Sequence, residues 1–368
     1  MTRVILKQSS YDYTTLKQQC FEIMDALGGD LIERHSHVIV KPNFLIPAAA
    51  ETAILTHPTV VRAAVEYVLE KGAHVQVSDS PAIGSFDKIL KESGVGRALE
   101  GLDVKCVPFK TSLSVDIGEP FGRIDIAADA VEADFVINLP KLKTHNLMLL
   151  TLGVKNLFGC IVDFRKPEWH LKMGLNRDMF ARLIVQIHRA VKPFMTILDG
   201  ILALEGDGPG KGGIPKHVGL LMGSNNAAAL DITVCRLLGI EPDLVPTNKI
   251  ARGMGMVNTF HVEGEFPPIR DFRLPDAGPA PMGPEFLHGM LRRYLLPRPD
   301  PDQELCTMCG RCLQFCPASA ITGDSEIRFD YEKCIRCYCC IEVCPHGALK
   351  TVESWPGKVL RRILGKSI

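Results

Sequence analysis

Several features that would place a chain in a membrane, outside the cell or on nucleic acid are missing here. The 42 lysines and arginines are matched by 42 aspartates and glutamates, so no global field draws a nucleic-acid backbone. No apolar run approaches the roughly 18 residues that a membrane-spanning helix requires. The opening Met1-Thr2-Arg3-Val4-Ile5-Leu6-Lys7 reads as a strand, with too few apolar residues for a signal peptide. Nothing looks secreted, so the 13 cysteines do not suggest a disulfide framework. At 368 residues there is room for two or three domains with a substantial core.

What is present is concentrated near the C-terminus. Cys306, Cys309 and Cys312 are followed by Cys316-Pro317, and Cys334, Cys337 and Cys340 by Cys344-Pro345. Both copies read C-x2-C-x2-C-x3-C-P, the spacing of bacterial-type [4Fe–4S] ferredoxins. Three thiolates so spaced can occupy three corners of one cube, and the fourth, turned away by proline, reaches the other cube. The expected ligand sets are Cys306, Cys309, Cys312 and Cys344 for one cluster, and Cys334, Cys337, Cys340 and Cys316 for the second. Zinc sites, which close at four ligands from two C-x2-4-C pairs or from cysteine with histidine, fit the pattern poorly. Cys339 reads as a bystander, and Cys20, Cys106, Cys160 and Cys235 as small core residues. Cluster thiolates must stay reduced until iron arrives, so a cytoplasmic location is expected.

From the N-terminus to about residue 240, short apolar runs alternate with helix-period stretches, which predicts an α/β domain. Strands are expected at Val4–Leu6, Val38–Val40, Val75–Val77, Phe135–Ile137, Met195–Leu198 and Val218–Met222. Helices are expected over Tyr13–Leu27, Pro58–Glu70, from Asn176 through Ala190, and Asp231–Leu238. Five of the strands end in polar clusters: Lys41-Pro42-Asn43, Ser78-Asp79-Ser80-Pro81, Asn138-Leu139-Pro140-Lys141, Asp199-Gly200 and Ser224-Asn225. If the sheet is largely parallel, these converge on one rim, where open α/β sheets bind ligands. Turn and cap chemistry alone would account for the serines and asparagines, but not for the lysines.

Lys141, Lys143, His145 and Lys155 fall within fifteen residues, with no acidic residue between Asp134 and Asp163. Such positive charge beside glycines suits a carboxylate or phosphate; the alternative is a solvated basic loop. Lys143, His145 and Lys155 are the candidates for catalysis, and His145 reads equally as general acid, hydrogen-bond donor or structural residue. With Lys41, Asn43, Asp79, Ser80, Lys141, Asn156, Asp199 and Glu205 they form the expected ligand-binding set. The glycine-rich stretch from Asp199 to Gly213 is neither a Walker loop nor a dinucleotide turn. It reads as a flap or plain loop, with Asp199 and Glu205 placed to balance the lysines or hold a metal.

The Lys41-Pro42-Asn43 and Ser78–Pro81 clusters, the N-L-P-K-L-K-T-H…G-V-K-N-L-F-G block, the L-D-G-I-x-A-x-E-G-x-G-P stretch and Leu230-Asp231…Gly239 resemble the family of domain of unknown function 362 over roughly residues 30 to 240. The resemblance implies an iron–sulfur protein with a C-terminal ferredoxin module, and names no substrate. A fainter likeness to the N-terminal domain of nickel-pincer lactate racemases is a fold-level analogy.

The expected organisation is therefore a 1–240 α/β domain with a mostly parallel, Rossmann-like sheet and a 241–300 irregular connector. A small α+β two-cluster ferredoxin module over 301–352 and a 353–368 basic amphipathic tail follow. The connector carries one amphipathic helix at Phe286–Leu295, and the tail could touch a membrane surface or an acidic partner. Two readings of function follow. One is an oxidoreductase passing single electrons between two [4Fe–4S] clusters and a small anionic molecule, with a further organic cofactor such as a flavin left open. The other is an electron-transfer adaptor whose α/β domain docks a redox partner protein or senses a ligand.

Overall fold

A computed structural model describes residues 2–162, 165–174, 176–275 and 296–353. The N-terminal unit contributes β1 (Thr2–Gln8), β2 (His37–Pro42), β3 (His74–Val77), β4 (Val104–Cys106), β5 (Ser112–Asp116) and β6 (Arg123–Ala127). It continues with β7 (Phe135–Leu139), β8 (Lys141–His145), β9 (Leu149–Thr151), β10 (Met195–Gly206), β11 (Gly213–Ser224) and β12 (Phe260–Glu263). Ten of these strands make one sheet, ordered β12-β1-β11-β10-β7-β2-β3-β4, with β8 beside β10 and β9 beside β8. The run β10-β7-β2-β3-β4 is parallel throughout. Its central strands β2 and β7 are buried on both faces, which is why Val38-Ile39-Val40 and Val136-Ile137 read as continuous apolar runs.

Local chemistry sets the helices as expected. Pro58 opens the Pro58–Glu70 helix, with the His57 ring accepting from the Thr59 N–H. The Asn176 side chain accepts from Met179 N and starts Arg177–Val191, whose buried face includes Leu183, Ile184 and Ile187.

Strand order reverses at β2. From there the chain moves outward through β3 and β4, then returns to place β7 on the other side of β2. A crevice opens at such a reversal, beyond the carboxyl ends of the strands. Four of the five expected polar clusters meet there. The fifth does not: β11 runs antiparallel, so Ser224 lies opposite Thr196 near the start of β10, with Asn225 beside Arg3.

Two further expectations change. β10 does not stop at Leu198 but continues to Gly206 and pairs with β11, so the glycine-rich stretch is a hairpin end. Residues 241–275 are no irregular connector. The Pro246–Gly253 helix packs on Arg177–Val191, and β12 adds to the sheet edge beside β1. The amphipathic segment at Phe286–Leu295 and the tail beyond Glu353 lie outside the described residues.

The C-terminal module pairs β13 (Arg298–Pro301) with β16 (Leu349–Val352), and β14 (Ile321–Gly323) with β15 (Ile327–Phe329). Its two cysteine runs are copies in backbone as well as in sequence. Met308 and Arg336, Gly310 and Tyr338, and Ser319 and Gly347 occupy equivalent positions, and all six have positive φ. Such turns aim successive N–H groups into one concavity, an anion-binding nest. Phe315 and Val343 of the module pack into the same apolar cluster as Phe44 and Phe86 of the α/β unit. No helix among the described residues is long and apolar enough to cross a membrane.

Candidate functional site

The expected site residues separate into those that hold each other and those that face open space. Lys41, at the end of β2, is fully buried and pairs with Asp79 Oδ1 at 2.8 Å. The other Asp79 oxygen accepts from Phe44 N. Gly159 lies against this pair: a Cβ there would fall 2.4 Å from Asp79 Oδ1 and 2.6 Å from Lys41 Nζ. That contact explains the glycine closing the G-V-K-N-L-F-G block.

Lys141 is held in a second buried pair, 2.7 Å from Asp199 Oδ2. Tyr11 donates to Asp199 Oδ1 and accepts from Lys141, and its ring stacks on His57 with centroids 3.5 Å apart. Burial pulls the Lys141 pKa down, and the Asp199 carboxylate opposes it. Asp199 thus balances a lysine of the block. Glu205 does not: it pairs with Lys216 at 3.3 Å and accepts from Arg273 N, away from the lysine block.

The alternation Lys141-Leu142-Lys143-Thr144-His145 puts both lysines and the histidine on one face of β8, a strand buried along its length. Lys143 donates to the Ile54 carbonyl at 2.8 Å, and burial, then the Lys155 charge, lower its pKa to about 7. His145 Nδ1 accepts from Leu147 N and Met148 N, so its proton sits on Nε2. That nitrogen faces Glu342 Oε1 of the cysteine module at 3.0 Å. Burial lowers the His145 pKa to about 4. Burial alone would raise the Glu342 carboxyl, but the charges of His145 and Lys155 outweigh it and hold it at about 2.

Asn156 locks the crevice. Its amide accepts from Asn43 and donates to Asn138 Oδ1 at 2.8 Å, so it bridges the ends of β2 and β7. The short turn bearing Lys155 and Asn156 is pinned by Asp231, which accepts from Gly153 N at 2.7 Å and Val154 N at 3.0 Å.

Beyond these residues lies a cavity of about 680 Å³, walled by both units. Six of the eleven expected ligand-binding residues line it: Lys41, Asn43, Asp79, Ser80, Lys155 and Asn156. Lys141, Lys143, His145, Asp199 and Glu205 do not. The lining also includes residues that the sequence reading missed: Phe109 and Lys110 after β4, Lys166, His170, and Arg311 from the module. Strand β4 is only three residues long and carries no clear alternation, so its loop gave no signal. Cys339 and Glu342 complete the wall, which makes Cys339 a cavity residue.

The eight cysteines of the two runs divide between two recesses. One small recess is lined by Cys306, Cys309, Cys312 and Cys344, and a separate one by Cys316, Cys334, Cys337 and Cys340. Backbone N–H groups point at the crossing sulfurs, Ala320 N at Cys316 Sγ (3.2 Å) and Ala348 N at Cys344 Sγ (3.3 Å).

Comparison with known proteins agrees with this division. Residues 38–236 match the family described as domain of unknown function 362, and residues 299–345 match the 4Fe-4S dicluster domain. A thylakoid-associated protein of Synechocystis is 34% identical over 265 residues, spanning 72% of this chain and 82% of the relative. The solved lactate racemase apoprotein from Thermoanaerobacterium thermosaccharolyticum shares 15% identity at a TM-score of 0.37, over 54% of this chain and 50% of that one, an overlap that carries no argument. This chain belongs to the family of domain of unknown function 362 and, with its 4Fe-4S dicluster domain, is an iron–sulfur protein.

Proposed function

We propose that the protein is an oxidoreductase in which a small anionic molecule, held between the two units, exchanges single electrons with a pair of [4Fe–4S] clusters. Cys306, Cys309, Cys312 and Cys344 would hold one cluster, and Cys316, Cys334, Cys337 and Cys340 the other. The observation that carries the reading is the shared wall. The cavity that collects Lys41, Lys155 and Asn156 from the strand ends is closed by the Cys339–Glu342 helix, which contains Cys340. A molecule bound there lies against both the cationic rim and a cluster-bearing segment.

The charges support an anion. The lining holds five basic side chains, Lys41, Lys110, Lys155, Lys166 and Arg311, against three acidic ones, Asp79, Asp87 and Glu342. Asp79 is engaged by Lys41, while Lys155 makes no ion pair among the described residues and feels only a longer-range attraction from Glu342. Burial lowers the Lys155 pKa, and an arriving negative charge would restore it.

The test uses anaerobically reconstituted, reduced protein mixed with a panel of small carboxylates and phosphate esters, with the visible cluster absorbance followed. One compound class should reoxidise the clusters catalytically, and Lys155→Gln should slow it. If compounds bind but none turns over, the α/β unit is a docking or sensing domain and the protein an electron-transfer adaptor.

A further inference from the structure

The cavity is far larger than an isolated anion needs. At about 680 Å³ it would hold roughly twenty waters at ~30 Å³ each, within the range of sites for organic cofactors. Its apolar wall is aromatic. Phe44, Phe86, Phe109 and Phe158 enter from four separate stretches of the α/β unit, and Phe315 from the module. All five are buried, yet they border open space and do not close it. Aromatic side chains so arranged accept a flat ring by offset or edge-on contact.

The same lining is cationic on balance, with an excess of two positive charges, five basic residues against three acidic. A phosphate monoester carries about −1.5 to −2 at neutral pH, and a single carboxylate only half of that. Lys155 stands in the polar wall, with no ion pair among the described residues and its ammonium 5.9 Å from the Phe158 ring centroid, where the two surfaces meet.

We propose that the cavity binds a planar fused-ring cofactor bearing one phosphate, of the flavin mononucleotide class, with its ring on the phenylalanine wall and its phosphate at Lys155. The inference rests on the redox reading above and narrows it. A delocalised ring spreads an odd electron, which is what carriers that pass electrons singly require of their partner.

Riboflavin 5′-phosphate and riboflavin share the ring and differ in the charge, so they separate the two walls. Each is titrated into anaerobically reconstituted full-length protein while flavin fluorescence is read. The phosphate form should quench saturably, with riboflavin at least tenfold weaker. Lys155→Gln should abolish that preference, and Phe109→Ala should weaken both ligands several-fold while leaving it intact. Circular dichroism and the visible cluster spectrum establish that each variant is folded and loaded. Absence of quenching by either ligand, or equal binding of both by the wild type, overturns the proposal. If the phosphate form fails to bind while another anion still reoxidises the reduced clusters, the ring class falls and the redox reading stands. If it binds but no electron passes, the cofactor class stands and the redox reading falls.

Discussion

His145 Nε2, on β8 of the α/β unit, faces Glu342 Oε1 of the cysteine module at 3.0 Å. The contact is buried, and around it the hairpin end of β10 and β11 seats the module. A Cβ on Gly210 would lie 3.1 Å from the Glu342 carbonyl, and Thr351 donates to Asp207 at 3.0 Å. The histidine of the lysine block therefore ties the two units together, and the glycine-rich stretch is a docking surface.

Lys41, Lys141 and Lys155 should respond differently to truncation. Lys41→Ala and Lys141→Ala each strand a buried carboxylate, Asp79 or Asp199, and should destabilise the chain by about 3–5 kcal/mol. Lys155→Ala removes a cation that makes no ion pair among the described residues and only attracts Glu342 at longer range, so urea unfolding should change much less. Its effect belongs to ligand binding, a loss of about 1.5–3 kcal/mol by calorimetry. Equal destabilisation by all of these substitutions would contradict the pairing.

Asp231 acts on the cavity through the turn that it pins. Asp231→Ala frees two buried N–H groups, those of Gly153 and Val154, at a cost of about 2–4 kcal/mol. Asp231→Asn keeps one acceptor oxygen and should recover part of that stability. Ligand affinity at Lys155 should follow the same order in calorimetry. Unchanged affinity in a folded Asp231→Ala protein would show that the turn holds itself.

Two cubes correspond to about eight irons and eight sulfides per chain. Iron near four, or zinc in its place, would refute that assignment. Because Cys316 lines the recess of the second run, Cys316→Ser should perturb the cluster of Cys334, Cys337 and Cys340. Paramagnetic resonance of the reduced variant reads this directly. A change confined to the other cluster would mean that each run holds its own cube.

The His188 imidazole is buried in the Arg177–Val191 helix, with no hydrogen-bond partner on either nitrogen among the described residues. Burial lowers its pKa to about 4. The unfolded chain, with an ordinary value near 6.5, takes up the proton first as pH falls. This contribution is complete above pH ~6.5 and is lost progressively toward pH ~4, by about 2 kcal/mol at pH 5. Urea unfolding at pH 7 and pH 5 should show a smaller loss for His188→Phe than for the wild type. Identical losses would mean that the imidazole reaches solvent.

Much of this molecule was legible residue by residue. Cysteine spacing is local, because a cube draws three ligands from one short loop, so both recesses could be anticipated. Apolar runs with polar ends marked the parallel strands, and Lys41, Asn43, Asp79, Ser80, Lys155 and Asn156 line one cavity. Strand direction was not legible, since β11 has the same composition whichever way it runs, and that direction removed Ser224-Asn225 from the rim. Nor could the sequence say which lysines are spent in ion pairs. The partner of Lys141 lies 58 residues away, and only the meeting of β8 with β10 brings it close. The cavity itself belongs to tertiary structure alone. Its walls come from strand ends, the loop after β4 and a docked module, and no stretch of chain encodes empty space shared among segments so far apart.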